Sequence, residues 1–152
     1  MKIRKATRAD VPAIVALYAD DVLGRARETP DALDVYYAAF DALDGDGRGS
    51  GGEILVGERD GRIVATLQLT MIQQLSHRGS KIAEIEAVRV ASDLRGGGLG
   101  AAIVQFAVER ARAAGCVRVQ LTSNKERLDA HRFYERLGFR RSHEGFKLYF
   151  SS

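Results

Sequence analysis

Residues 88–101 read Val-Arg-Val-Ala-Ser-Asp-Leu-Arg-Gly-Gly-Gly-Leu-Gly-Ala. An alternating strand end comes first, and four glycines punctuate the turn that follows. The segment after Leu99 carries apolar residues at helical spacing. Glycines at a strand-to-helix junction let backbone N–H groups turn toward an anion, and the helix adds its positive end. A diphosphate is the natural guest of such a loop.

Outward from this loop the chain alternates between the two periodicities. Lys2 to Ala6 reads as a short strand. Thr7-Arg8-Ala9-Asp10 is a capping-box pattern, and Pro12 falls in a first helical turn. A second helix is expected from Asp31 to Leu43, followed by a glycine-rich stretch over 44–52 that reads as a mobile loop. Glu53 to Glu58 and Arg62 to Leu75 read as strands joined by the turn signal Asp60-Gly61. Lys81 to Ala91 is a further strand. The helix after the loop should bury Leu99, Ile103, Phe106, Ala107 and Ala111, with Gly115 as its stop. Val117 to Thr122 is rich in β-branched residues. Ser123 to Glu126 repeats the capping-box pattern and opens a helix through Leu137. Phe139 to Arg141 and Phe146 to Phe150 are expected to close the sheet. The order is β-α-α-β-β-β-α-β-α-β-β, an α/β (α+β) fold of six to seven strands flanked by four helices.

Length and composition bound the class. With 152 residues, 45% hydrophobic and 28% charged, the chain suits one soluble domain over 1–152. No apolar run approaches ~18 residues, and the N-terminus lacks the apolar stretch of a signal peptide. A lone Cys116 offers no internal disulfide, so a cytoplasmic location fits. Charge is uneven. Residues 1–60 carry 8 Lys/Arg and 12 Asp/Glu, a net of −4, and residues 61–152 carry 15 and 8, a net of +7. The basic part holds the glycine loop, which suits a polyanionic ligand. The arginines are scattered and no nucleic-acid-binding motif is present, so no nucleic-acid partner is expected. The histidines show no metal spacing, so no metal is expected.

Arg95-Gly96-Gly97-Gly98-Leu99-Gly100 resembles the Arg/Gln-x-x-Gly-x-Gly/Ala signature of the GNAT acetyltransferase superfamily. A Val-x-Val strand end, Val88-Arg89-Val90, precedes it as in that family. Ala130 to Phe139, with Tyr134, Gly138 and Phe139, resembles the family's Tyr-x-x-x-Gly-Phe block. The resemblance implies the GNAT fold, acetyl-CoA as co-substrate and transfer of the acetyl group to an amine. It implies that the backbone of Gly96 to Ala101 holds the pyrophosphate, with Gly98 and Gly100 at the signature positions. It further implies that Val88 and Val90 pair with the pantetheine arm, that Asn124 touches it, and that Tyr134 lies beside the sulfur. Arg95, at a helix N-terminus, meets a phosphate or stands as a solvated loop charge.

Amine acetylation needs a base for the ammonium and a proton for the departing thiolate. In Ile82-Ala83-Glu84-Ile85-Glu86, period-two alternation puts both carboxylates on one face unless a bulge intervenes. Their repulsion favours a proton on one of them. Glu86 is the preferred base and Glu84 the alternative, against a reading in which both are solvated or paired with Arg62, Arg78 or Lys81. Tyr134 is the acid, or a core aromatic, or both. The first helices, acidic at Asp20, Asp21, Glu28, Asp31 and Asp34, should supply the acceptor side for a cationic amine. Tyr36, Tyr37 and Phe40 either wall it or belong to the core. His77-Arg78-Gly79 would instead favour an anionic acceptor such as an amino-phosphonate. A small-molecule amine is the leading acceptor. The rivals are a protein N-terminus or lysine and, in another class, a non-catalytic CoA-binding sensor or scaffold. A homodimer is common in such folds, by analogy.

Overall fold

The structure is a computed structural model and describes residues 1–44 and 52–151. Most of the 44–52 stretch read as a mobile loop therefore lies outside the described residues. The elements are β1 Lys2–Lys5, α1 Val11–Ala19, α2 Val22–Arg25, α3 Asp34–Asp44, β2 Glu53–Arg59, β3 Arg62–Gln73, β4 Lys81–Val90, α4 Leu99–Ala113, β5 Cys116–Gln120 and α5 Leu128–Arg136. Single turns at Arg8–Asp10 and Ser92–Leu94 precede α1 and the glycine loop.

The sheet has the order β1-β2-β3-β4-β5. Its first four strands are antiparallel, and β4 and β5 are parallel. The parallel pair requires a crossover, and α4 supplies it. The β2–β3 turn falls at Asp60-Gly61 as the sequence predicts, with φ of 52° and 76°, the left-handed pair that matches hairpin twist.

The strand count differs from expectation. Five strands form among the described residues, and neither 139–141 nor 146–150 is one of them. The alternation Phe146, Leu148, Phe150 is strand-like, but a strand needs a partner ladder as well as a pattern. By compactness the chain divides into Met1–Gln120, which holds the whole sheet, and Leu121–Ser152, which holds α5.

Both faces of the central strands are covered. Leu55 and Val56 point to opposite faces of β2, yet both are buried. Val56 packs with Ile14 of α1 and Ala6, and Tyr18 and Phe40 lie against them. Register places Val56 beside Thr66, and Leu55 beside Leu67. α4 packs along β2 to β5 and buries Ile103, Val104, Ala107 and Ala111. Phe106, expected on this buried stripe, is instead among the exposed large side chains. Val104 takes the place assigned to it, because the apolar stripe is rotated by part of a turn. Thr66, also fully buried, satisfies its hydroxyl by donating to the Leu55 carbonyl at 3.0 Å.

The capping box at Thr7 forms as read. The Asp10 carboxylate accepts from the Thr7 N–H at 2.7 Å and from its hydroxyl at 3.0 Å. The Asp10 N–H closes on the Thr7 carbonyl. The same carboxylate takes two bonds from the Arg4 guanidinium, at 2.7 and 3.0 Å, and Glu58 takes two more from Arg4. This network ties β1, the entry of α1 and β2 together. The second capping box does not form. Asn124 Oδ1 accepts from the Glu126 N–H at 2.9 Å, and α5 starts only at Leu128 with Arg127 at its cap. The short polar side chain closes a local turn in place of a helix cap.

Two stability predictions follow from these contacts. Arg4, foremost, holds the Asp10 carboxyl down to about 2 from its ordinary 3.8. A depressed carboxyl stabilises the fold above its unfolded value, and that stability disappears as pH falls through the folded value. Asp10→Asn should therefore cost about 2 kcal/mol at neutral pH. It should also flatten the loss of stability that the wild type shows between about pH 4 and pH 2. Denaturant titration across that range checks both. At the α1–α2 corner, a Cβ on the buried Gly24 would lie 1.8 Å from the Tyr18 carbonyl oxygen. Gly24→Ala should cost about 1–3 kcal/mol, because backbone rather than a flexible side chain must move. A melting point within a degree of wild type would contradict that expectation.

Candidate active site

The site is built where β4 parts from β5. Pairing of the two runs from Lys81–Cys116 to Glu84–Gln120. Beyond it β4 continues from Ile85 to Val90 with no β5 partner among the described residues. On its other edge, β4 is irregular at the same place. Thr66 faces Arg89 and Gln68 faces Glu86, so Leu67 alone is opposed by both Ala87 and Val88. This is a β-bulge, and Ala87 carries a φ of 52°, a conformation a non-glycine residue adopts at a cost. Past the bulge Val88 and Val90 are half-buried, Val90 pairs with Ala65, and the Val88 carbonyl accepts from Arg89 Nη1 at 2.8 Å.

The bulge lies after Glu86, so the expected alternation of the acids survives. Glu84 stands opposite Thr70, and Glu86 opposite Gln68. Through the β2–β3 register these residues share the face of Val56, which α1 covers further along the sheet. Glu84 is half-buried, and Glu86 is exposed. Glu84 accepts a bond from Gln120 Nε2 at 3.3 Å. Of the cations considered as their partners, Arg62 is engaged bidentately with Asp93 at 2.8 and 2.9 Å. Lys81 donates to the Ala114 carbonyl.

The glycine loop is anchored by apolar contacts on both sides. Ala91 is buried with Leu17 and Val64, and Leu94 and Leu99 pack against them. Between these anchors Arg95, Gly96, Gly97 and Gly98 are exposed, and Leu99, Gly100 and Ala101 are half-buried. Gly98 caps α4 at φ 80°, and no side chain caps the helix. The first intrahelical bond of α4 runs from the Ala102 N–H to the Gly98 carbonyl. The amides ahead of Ala102 therefore have no helical acceptor and point out of the helix end. A Cβ at Gly96 or Gly98 would meet nothing within 4 Å. These glycines serve backbone conformation and open space over the loop rather than packing. A cluster of donors at a helix N-terminus with room above it fits a diphosphate.

Arg95 does not stand free in solvent. Its Nε donates to the Val90 carbonyl at 3.3 Å, and its Nη2 to the Asp20 carbonyl at 3.0 Å. Asp20, read from sequence as part of the acidic acceptor side, accepts from the Ser92 N–H at 2.9 Å and from its hydroxyl at 3.1 Å. The Ser92 backbone bond, foremost, holds the Asp20 carboxyl below its usual range. Sequence reasoning missed this link. Its only trace was an acid at a helix end and a serine at a turn, and 72 residues separate them.

Its neighbour Asp21 faces Arg89, with the ions 3.6 Å apart and the side chains 16% and 12% exposed. Nearby, Tyr36 donates to Glu28 at 2.9 Å and accepts from the Thr29 N–H. Tyr37 lies under the Arg8 guanidinium, and Phe40 joins the core. Of these three aromatics, Phe40 is thus a core residue, Tyr37 a surface platform and Tyr36 a support for the segment after α2. Burial pushes the Tyr18 hydroxyl up to about 12, so it stays protonated at neutral pH.

In residues 121–152, Tyr134 is half-buried on α5, stacked edge-on against Phe133 at 5.0 Å and Phe139 at 5.8 Å. His131 donates through Nε2 to the Asn124 carbonyl at 2.8 Å. The Asn124 carboxamide oxygen is spent on the Glu126 turn, leaving its NH2 as the end that can reach a ligand.

The chain is 45% identical to a transcriptional regulator from Bacillus halodurans C-125 whose structure is solved, with a TM-score of 0.91 over 98% of this chain and 99% of that one. A glucosamine-6-phosphate N-acetyltransferase from Arabidopsis thaliana is 25% identical, with a TM-score of 0.76 over 99% and 98% of the two chains. An aminoalkylphosphonate N-acetyltransferase from Salmonella typhimurium is 39% identical over 85 residues, 56% of this chain and 54% of that protein. The chain thus matches about half the length of that curated relative. The acetyltransferase (GNAT) family model matches residues 12–139, from α1 through the glycine loop to Phe139. A bulged, splayed β4 running into an uncapped glycine-loop helix is what that match spans, and the chain belongs to the acetyltransferase (GNAT) family.

Proposed function

We propose that the protein is an acetyl-CoA-dependent N-acetyltransferase that acetylates the primary amine of a small molecule. The reading is carried by one observation: Glu84 and Glu86 share a face where β4 leaves β5, on the strand that runs into the glycine loop. Amides of Gly96 to Ala101 hold the diphosphate, and the exposed edge at Val88 and Val90 aligns the pantetheine arm, with the Asn124 NH2 as a further contact. Acetyl-CoA supplies the activated acyl group. Glu86, exposed and facing Gln68, takes the proton of the substrate ammonium at a carboxylate oxygen, through water. Glu84, held by Gln120, is the secondary base. Tyr134 Oη donates a proton to the departing sulfur. The whole chain acts as one catalytic unit, in the cytoplasm, without a metal.

Two named relatives of this chain act on amines that also carry a phosphonate or phosphate. Amino-phosphonates and amino-sugar phosphates therefore head the acceptor panel, ahead of lysine peptides and protein N-termini. The description of the Bacillus halodurans protein as a transcriptional regulator keeps a second reading in play, a CoA-binding sensor without turnover.

Thiol release from acetyl-CoA across such a panel separates the readings. Glu86→Gln should lower turnover at least about 100-fold while acetyl-CoA binding by calorimetry stays within a few-fold of wild type. Unchanged turnover would remove Glu86 from the role of base. Tyr134→Phe should slow turnover about tenfold or more and steepen its dependence on thiol leaving-group pKa. Acetyl-CoA uptake with no thiol release from any amine would favour the sensor.

A further inference from the structure

Asp20 and Asp21 are adjacent, at the corner where α1 ends and α2 begins, yet each grips a different part of the coenzyme strand and loop. The Asp20 carboxylate binds the Ser92 N–H and hydroxyl, and its carbonyl takes Arg95 Nη2. Arg95 also holds the Val90 carbonyl. Asp20 thus fixes the entry of the glycine loop from three directions. Asp21, the N-cap residue of α2, faces Arg89 across 3.6 Å. Arg89 Nη1 in turn donates to the Val88 carbonyl at 2.8 Å. That carbonyl belongs to the bulge, next to the strained Ala87. This half-buried ion pair ends on the backbone group at the bulge, where the Val88 carbonyl follows the strained Ala87.

We propose that the corner is a two-pronged positioning device, in which Asp20 sets the diphosphate loop and the Asp21–Arg89 pair sets the bulged strand. Neither prong touches the coenzyme. Each lowers the ordering cost of one segment of its cradle. The division rests on the proposed coenzyme reading but makes a claim of its own. The two prongs should be separable with a ligand that has a diphosphate and no pantetheine arm.

ADP and acetyl-CoA serve as that pair of probes in calorimetric titrations of the full chain. Asp20→Asn should weaken both, each by about tenfold. Asp21→Asn and Arg89→Gln should weaken acetyl-CoA by a similar factor and leave ADP affinity unchanged, and Arg89→Lys should recover part of the loss. Amide hydrogen exchange on the same samples should rise at 92–95 in the first variant and at 87–90 in the second and third. Ser92→Ala, which removes one of the two Asp20 bonds, gives a milder form of the first effect should Asp20→Asn fold poorly. Equal losses for both ligands in the Asp20 and Asp21 variants would overturn the division, as would acetyl-CoA binding indifferent to Arg89. Wild-type protein that takes up no acetyl-CoA would instead remove the coenzyme reading itself, and the division with it.

Discussion

The candidate site depends on one of the sheet's irregularities, the bulge in β4. A parallel pair of strands would ordinarily zip along its whole length, because each step adds backbone hydrogen bonds. Here β4 and β5 separate after Glu84–Gln120. β5 itself ends at Gln120 and β4 runs on to Val90; on the opposite edge of β4 one extra residue is absorbed against Leu67 and Ala87 takes a left-handed φ. A bulge raises local twist and bends its strand. From Ile85 to Val90 one edge of β4 has no β5 partner among the described residues, and the Ser92–Leu94 turn and the glycine loop lead from it to the helix end at Gly98. The strain at Ala87 is of order 1–3 kcal/mol. The structure around it, including two covered sheet faces and the Arg89 bond to the Val88 carbonyl, holds it in place.

The acidic residues show why composition alone misassigns roles. Residues 1–60 carry a net of −4, and the simplest expectation sends those charges toward a cationic substrate. Asp10 binds Arg4, Asp20 binds Ser92, Asp41 binds Arg8, and Asp21 faces Arg89. Most of this negative charge is neutralised locally or spent on backbone groups. Glu84 and Glu86 lie together on the sheet face, Glu84 accepting from Gln120, and there the sequence spacing alone was informative. Strand alternation places them together whatever the rest of the chain does, provided no bulge falls between them.

Legibility followed the range of the interaction. The Asp60-Gly61 turn, the Thr7 capping box and the glycine loop are each closed by neighbours within a few residues, and each appears as read. The same argument failed at Ser123, where the local competitor Asn124 captured the Glu126 N–H first. Phe106 was misplaced because helical spacing alone leaves the orientation of a stripe uncertain by one position, and Val104 completes it equally well. The closing strands over 139–141 and 146–150 were misread for a different reason. Alternation is a property of the segment, while a strand is a property of a pair. Links such as Asp20 to Ser92 and Asp21 to Arg89 span about half the chain, and no local pattern marks them.

The polar face of the sheet gives a last constraint on what the fold is for. At Val56 and Val64 the α1 side of the sheet is apolar and buried. Along the same face, toward the splay, register brings Gln68, Thr70, Glu84 and Glu86 together. A helix as apolar as α1 could not cover these residues without leaving carboxylates unpaired in a dry environment, at several kcal/mol each. The face must stay accessible to water or to a polar guest. At the helix end, the glycine loop presents amides without helical acceptors. The acids and the helix end stand at either end of one stretch, Glu86 to Leu99, which runs from the bulge of β4 through the Ser92–Leu94 turn and the glycine loop.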